Sequence, residues 1–392
     1  MLAGRQNSNA MNTNEKRLDL IKIVIIVGVI ILLWAGISIV VYYGYVTDLP
    51  HMDFFIPWVG AREALFRGGD LYSQETTQII QMTIYNQLLP ESVDQQRFAY
   101  PAFIVILLLP FFLIPDMYWA ASIWTGFSSV LLIVSALLVS RSLEQPRPFR
   151  SLILLFYPYC LMMLFVAQFT IIPLAAISLA YVALKKEFYF ITGAILVTAF
   201  IKPELALVPG LYFGFIVLKR KQWNFIWGGM LSGLALLGFS VMLQGWWFPA
   251  WLDQANAYTE YADIFWPLIS IWDWQPLLGI IGLLVLAWSL WSIYKEREID
   301  LGVIVPLGLL LIPQTKNYSL AILLIPLFML WQKGAFKASL GIVLFGWFVM
   351  IISYGWLDWH KGQLLQIWVM PLVILLLYGL GRSKTRLERG YI

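Results

Sequence analysis

The sequence predicts an all-α fold, a polytopic bundle of transmembrane helices, and three observations carry that prediction. Hydrophobic residues make up 60% of the 392 positions and charged residues only 12%. Mean hydropathy is +0.78, too apolar for a chain folded in water. Apolar runs long enough to cross a bilayer recur along the whole length, where a membrane β-barrel would show alternating segments of about ten residues.

Taken in order, the first run covers about 20–45, after a polar tail carrying Lys16 and Arg17. It is longer than a signal-peptide core and lacks a small-residue cleavage site, so it reads as a retained first span. Further spans are expected near 117–140, 151–167, 169–184, 188–201, 203–218, 223–244, 275–294, 299–312, 318–331, 336–354 and 363–381. "YPAFIVILLLPFFLIPD", from Tyr100 to Asp116, is a thirteenth apolar segment. Its three prolines break helix, and it is read as dipping in and returning. About twelve crossings remain. Several are short and meet in pairs at polar breaks: Gln168, Lys202-Pro203, and "PQTKNYS" at 313–319. No internal repeat, linker or low-complexity tract appears, so residues 1–392 form one membrane domain.

Basic residues orient the chain, because they favour cytoplasmic loops. With both tails and alternate loops inside, 20 of the 26 Lys and Arg fall on the inner side, against eight of the 22 acids. Arg62, Arg67, Arg97, Lys202, Lys316 and Lys361 are the six outer exceptions. This places the chain in a cell membrane, a bacterial plasma membrane, with both termini cytoplasmic. Residues 382–392 form a basic cytoplasmic tail, an anchor beside anionic lipid.

Two outer regions are large. Residues 46–100 are expected to hold two short surface helices. Pro57 suits a first helical position, and Trp58, Ala61 and Leu65 share a face that ends at Gly68-Gly69. Ser73 suits an N-cap, and Ile80, Ile84 and Leu88 repeat at helical spacing among glutamines. Region 245–275 holds Asp253, Glu260, Asp263 and Asp273 with no Lys or Arg, and its tryptophans suit the interfacial belt.

The function classes left open are few. There is no phosphate-binding loop, dinucleotide turn or metal-ligand spacing, and Cys160 alone offers no redox pair. No metal or other cofactor is expected. The basic residues form no stripe for nucleic acid. Polar residues at the outer ends of spans remain as candidates, each with a plain structural reading beside it. Asp48, His51 and Asp53 belong to the first outer loop, where Asp53 could serve only as a helix cap. Lys202 could simply snorkel from a helix end, and Lys316 stands in a similar break. Gln168 could satisfy backbone at a span end, Arg62 could face headgroups, and His360 with Lys361 could belong to an aromatic belt.

One stretch, Asp53-Phe54, Trp58, Ala61 and Gly68-Gly69-Asp70-Leu71-Tyr72, resembles the polyprenol-phosphate-mannose-dependent mannosyltransferases, glycosyltransferase family 87 of the GT-C superfamily. "FAYPAFIVILLLPFFLIP" resembles that family's Y-P-P segment, with Ala102 at the second proline. Ala167-Gln168-Phe169-Thr170 resembles its G-Q-x-N span, and "ITGAILVTAFIKPELALVP" its small-residue helix ending in Lys-Pro. The resemblance covers about residues 20–220. It implies an outward-facing site that transfers a hexose, mannose, from a polyprenyl-phosphate donor to a glycolipid or glycan acceptor with inversion. Asp53 matches the family's general base. Lys202, Lys316 and His360 are then candidates for the donor phosphate, and Arg62 and Gln168 for substrate contacts. A sugar carried on membrane lipid also suits an outer site, which cytoplasmic nucleotide sugars cannot reach. The rival readings are a secondary transporter or lipid flippase, which commonly has repeated halves and midplane charges, and a non-catalytic assembly subunit.

Overall fold

A computed structural model describes residues 3–44, 52–142, 148–258, 266–296, 300–313, 316–332 and 335–389. Asp48, His51, Glu260, Asp263 and the last three residues of the tail lie outside them. The described residues are helical or loop, without a strand. The protein is an all-α membrane protein, and among the described residues five helices are long and apolar enough to cross a bilayer.

Helix α1 (Ala3–Gly44) carries the first of these, Val24–Gly44. Its 21 residues rise about 31 Å at 1.5 Å each, matching a hydrocarbon core of about 30 Å. After it come α2 (Phe55–Arg67) and α3 (Gln74–Tyr85). Gly68 closes α2 with a left-handed φ of 68°, a conformation costly for any residue with a Cβ. Ser73 caps α3 by accepting the Thr76 N–H at 3.1 Å.

The loop around these helices is more enclosed than a pair of surface helices. α2 begins two residues before Pro57 and buries residues on almost every side, Glu63 included. In α3 only Ile80 of the expected apolar row is fully buried; Leu88 lies beyond the helix end and is exposed. Amides fill the space instead. Gln81 donates to the Gln95 carbonyl at 2.9 Å and accepts from the Leu89 N–H at 2.9 Å. A buried amide used at both ends fixes a loop without an apolar core.

The proline-rich segment forms α4 (Phe103–Leu107) and α5 (Leu109–Phe112). Nine helical residues rise about 14 Å, under half of a bilayer core. The segment therefore does not cross as a helix. Asp116 then caps α6 (Met117–Arg141), which packs along α1.

The remaining helices are α7 (Pro148–Ser151), α8 (Pro158–Phe165), α9 (Ile171–Lys185), α10 (Tyr189–Thr198), α11 (Pro203–Lys219) and α12 (Trp223–Gln244). Then follow α13 (Phe248–Tyr258), α14 (Pro267–Trp274), α15 (Pro276–Glu296), α16 (Leu301–Leu311), α17 (Leu324–Gln332), α18 (Phe336–Trp356) and α19 (Trp359–Arg389). α10 and α12 cross at backbone contact: a Cβ on Gly193 would overlap the Phe225 carbonyl, and one on Gly228 the Phe190 carbonyl. Only small residues allow such an approach between membrane helices.

The expected spans thus recur as helices, but not all at full length. α1, α6, α12, α18 and α19 carry the long apolar stretches, whereas α9, α10 and α16 run 15, 10 and 11 residues. Segment 151–167 is broken into a 3-10 turn (Leu152–Phe156) and α8. Two of the short helices are interior, with 12 of the 15 residues of α9 and eight of the 11 of α16 buried, while α12 shows most of its surface to the outside. Helices that stop partway leave unpaired backbone groups, which are tolerated where protein or a polar cavity covers them.

Candidate functional site

Three of those interior breaks meet at one place. The first is the α8–α9 turn. Ala167 sits there with φ of 51°, and Gln168 follows. The second is Lys202, a non-helical residue with φ of −127° between a 3-10 turn (Ala199–Ile201) and α11. Pro203 opens α11, where its missing N–H leaves nothing unsatisfied. The third is Lys316, extended with φ of −147° just before a 3-10 helix (Asn317–Leu323).

Asp53 faces this convergence, and its neighbour explains why. Phe54 is fully buried among Phe112, Trp124 and Phe169, with ring centroids 5.8–6.1 Å apart. The Asp53 N–H donates to the Val166 carbonyl at 3.1 Å, tying the loop to the α8–α9 turn. With Phe54 driven inward, the preceding side chain turns toward the cavity. It does not cap α2, whose N-cap is Phe54 and has no side-chain cap bond.

A chain of hydrogen bonds then holds the carboxylate. Gln168 Nε2 donates to Asp53 Oδ2, while Gln168 Oε1 accepts from the Phe169 N–H at 2.6 Å and the Tyr100 hydroxyl at 3.2 Å. The Tyr100 carbonyl accepts the Tyr72 hydroxyl at 2.9 Å, and Asp70 Oδ1 accepts the Tyr72 N–H at 2.9 Å. From the other side Gln244 accepts the Leu71 N–H at 2.8 Å and donates to the Gly69 carbonyl at 3.1 Å. The Gly-Gly-Asp-Leu-Tyr turn is thus a brace, three contacts removed from Asp53. Gln168 is 1% exposed with its amide engaged at both ends, so it positions Asp53 and does not reach the cavity.

Asp53, Lys202 and Lys316 line one cavity of about 560 Å³, within the usual range for small-molecule sites of about 300–1,000 Å³. Tyr318 links them. Its hydroxyl hydrogen-bonds Asp53, and the Lys202 Nζ lies 4.9 Å from its ring centroid. Lys202 is 5% exposed, with Glu204 Oε1 3.9 Å away. Removal from water raises the pKa of Asp53, opposed in order by the charge of Lys202, hydrogen bonds from Tyr318 and Gln168, and the charge of Lys316. Burial lowers that of Lys202, against the pull of Glu204 and Asp53. A carboxylate poised upward beside two ammonium groups can take a proton and hold an anion.

Two expected site residues are placed elsewhere. Arg62 donates to the Phe112 and Ile114 carbonyls at 3.1 and 3.4 Å and stacks on Trp58 and Phe66. It closes the end of α5, whose carbonyls no further turn can satisfy. His360 is exposed at the start of α19, next to the Asp358–Lys361 pair at 2.7 Å, and is not part of the cavity wall. The cavity adds residues that sequence reasoning passed over: Tyr318 and Tyr100, with Asp94, Arg97 and Trp251. Both tyrosines stand inside segments singled out for other reasons, which was the available signal. Among the described residues no group of His, Cys, Asp and Glu could hold a metal ion. Comparison with protein-family models, curated proteins and solved structures finds no match.

Proposed function

We propose that the protein is a GT-C-type glycosyltransferase of the cell membrane. It has about twelve crossings and both termini in the cytoplasm, and it transfers a hexose, mannose, from a polyprenyl phosphate to an external glycan or glycolipid. One observation carries this reading: Asp53, Lys202 and Lys316, far apart in sequence, share a single cavity. The uneven split of basic residues supports an outward-facing cavity, which only a lipid-borne sugar would reach.

In this reading the acceptor hydroxyl attacks the anomeric carbon as Asp53 takes its proton. The carbon–oxygen bond to phosphate breaks, and the released polyprenyl phosphate keeps the bonding electrons. Lys202 and Lys316 face that growing charge. One displacement inverts the anomeric centre. Leu207, Ile312 and Pro313 give the same cavity an apolar margin suited to the first prenyl units, and Leu207 is exposed at its edge.

The test is transfer by purified protein in lipid nanodiscs. Polyprenyl-phosphate mannose should support transfer to a glycan acceptor, and a nucleotide-linked mannose should not. Equal rates with the nucleotide donor, or no transfer from any polyprenyl-phosphate hexose, would refute the proposal.

A further inference from the structure

The cavity has a second wall whose chemistry differs from that of the lysine wall. It is built from residues 94–101 and from α13, which pack together: the Trp251 indole N–H donates to the Ala99 carbonyl at 3.0 Å. That bond fixes the indole, and Trp251 lines the cavity. Three planar polar groups line the same wall, Asp94, Gln96 and Arg97.

Arg97 and Asp94 are held by their surroundings. Arg97 Nη1 donates to Gln254 Oε1 at 3.3 Å, and Gln254 Nε2 donates to the Tyr72 carbonyl at 2.6 Å. Arg97 Nε is buried and makes no hydrogen bond within the protein. Asp94 Oδ1 accepts the Gln96 N–H at 2.9 Å, closing a turn in which Gln96 has φ of 56°. Polar groups held beside an aromatic plate discriminate well, because they lose little freedom when a ligand binds.

The charges decide which ligand fits. Asp94 and Arg97 cancel, so this wall offers no net attraction to a second phosphate. A carboxylate, an amide and a guanidinium do match the paired donors and acceptors of adjacent sugar hydroxyls. The apolar face of a pyranose ring packs on an indole. We infer that the wall formed by residues 94–97 and Trp251 binds the uncharged terminal sugar of a glycan acceptor, in the same cavity as the lysines that face the donor. The assignment of an acceptor rests on the proposed transfer; the assignment of a sugar-binding wall does not.

Full-length protein in nanodiscs separates the two. Binding of α-linked mannobiose is read by saturation-transfer NMR, with glycerol phosphate as an anionic competitor. Donor affinity is read with a non-transferable polyprenyl-phosphate analogue. Asp94→Ala and Trp251→Ala should each raise the acceptor KM roughly tenfold, the loss expected of a directional polar or stacking contact. Donor Kd should stay within about twofold, and Trp251→Phe, which keeps a ring, should retain most acceptor affinity. If Trp251→Ala fails to fold, Asp94→Ala, in a surface turn, carries the test alone. Unchanged acceptor KM in the folded variants overturns the inference and leaves the transferase reading intact. Mannobiose binding that these variants abolish, without any transfer by the wild type, keeps the sugar wall and removes the transferase. Displacement of mannobiose by glycerol phosphate at equal concentration overturns the neutral-sugar assignment.

Discussion

Replacing Asp53 by Asn tests the base directly, because the surroundings of this side chain are known. The amide has nearly the same shape. Its oxygen can still accept from Gln168 Nε2, and its anchors, the Phe54 ring and the bond from the Asp53 N–H to the Val166 carbonyl, are untouched. What disappears is the proton acceptor, and general-base catalysis is worth about 10²–10⁴-fold. Turnover should fall by at least about 100-fold.

Two further readouts separate a lost base from a damaged site. A carboxylate one hexose away from the donor phosphate, roughly 8 Å, repels it by about 2 kcal/mol at an effective dielectric constant near 20. Screening in an open cavity leaves about 0.5–1 kcal/mol, so donor affinity should rise roughly two- to fivefold in the variant. Stability should not fall. Asp53 has a raised pKa in the folded state, so its protonated form contributes stability at low pH, and that contribution is lost as pH rises through the folded value. At neutral pH the charged form is a net cost that asparagine removes. The assays are single-turnover transfer, binding of the donor analogue and thermal unfolding in detergent. Turnover within about threefold of wild type would refute the reasoning. A large loss accompanied by weaker donor binding and lower stability would instead make Asp53 a structural residue.

Other expectations follow from the same geometry. Lys202→Ala should weaken donor binding and slow transfer by roughly tenfold or more, whereas Lys361→Ala, exposed beside Asp358, should stay within about twofold; equal effects in steady-state kinetics would count against the cavity. The pH profile should be bell-shaped, with activity lost as pH falls through the raised pKa of Asp53 and again as pH rises through the lowered pKa of Lys202; a variant lacking Asp53 that keeps the acid limb would disprove the assignment. Ala167→Gly should change stability by under about 1 kcal/mol, and Ala167→Val should cost more than about 2 kcal/mol, because φ of 51° excludes a β-branched residue; thermal unfolding in detergent decides. Single cysteines at Ser73 and Ser383 in a Cys160→Ala background should label with an impermeant thiol reagent on intact cells at 73 and not at 383; the opposite pattern would invert the proposed topology.

Asp53, Lys202 and Lys316 were legible because a charge at the edge of an apolar run is conspicuous in a chain with so few charges. Gln168 was legible as a position but not as a role, since whether an amide meets a sugar or a carboxylate depends on which loop arrives beside it. Arg62 and His360 show the limit of the same logic. Placement on the outer side fixes neither the direction of a side chain nor the partner it meets, and Arg62 turned to the carbonyls left open by α5. Trp251 and Tyr318 were hidden by abundance: in a chain with 16% aromatics, the interfacial belt explains any one of them equally well.

The fold itself was legible through its interruptions more than through its spans. A full-length apolar helix satisfies its own backbone and can face lipid anywhere, so α1 and α12 say little about where chemistry sits. A break inside an apolar run is different, because it leaves backbone groups that only protein or a polar cavity can satisfy. Three breaks on the same expected side, at Gln168, Lys202 and Lys316, have a common solution: Lys202 and Lys316 line one cavity, and Gln168 braces Asp53 at its edge. Their meeting at Asp53 is what that constraint requires. The same constraint fits the short helices α9, α10 and α16 beside the five long apolar ones found among the described residues. Runs that end at the cavity have no reason to continue across the bilayer, and the length each gives up becomes the space in which a substrate can lie.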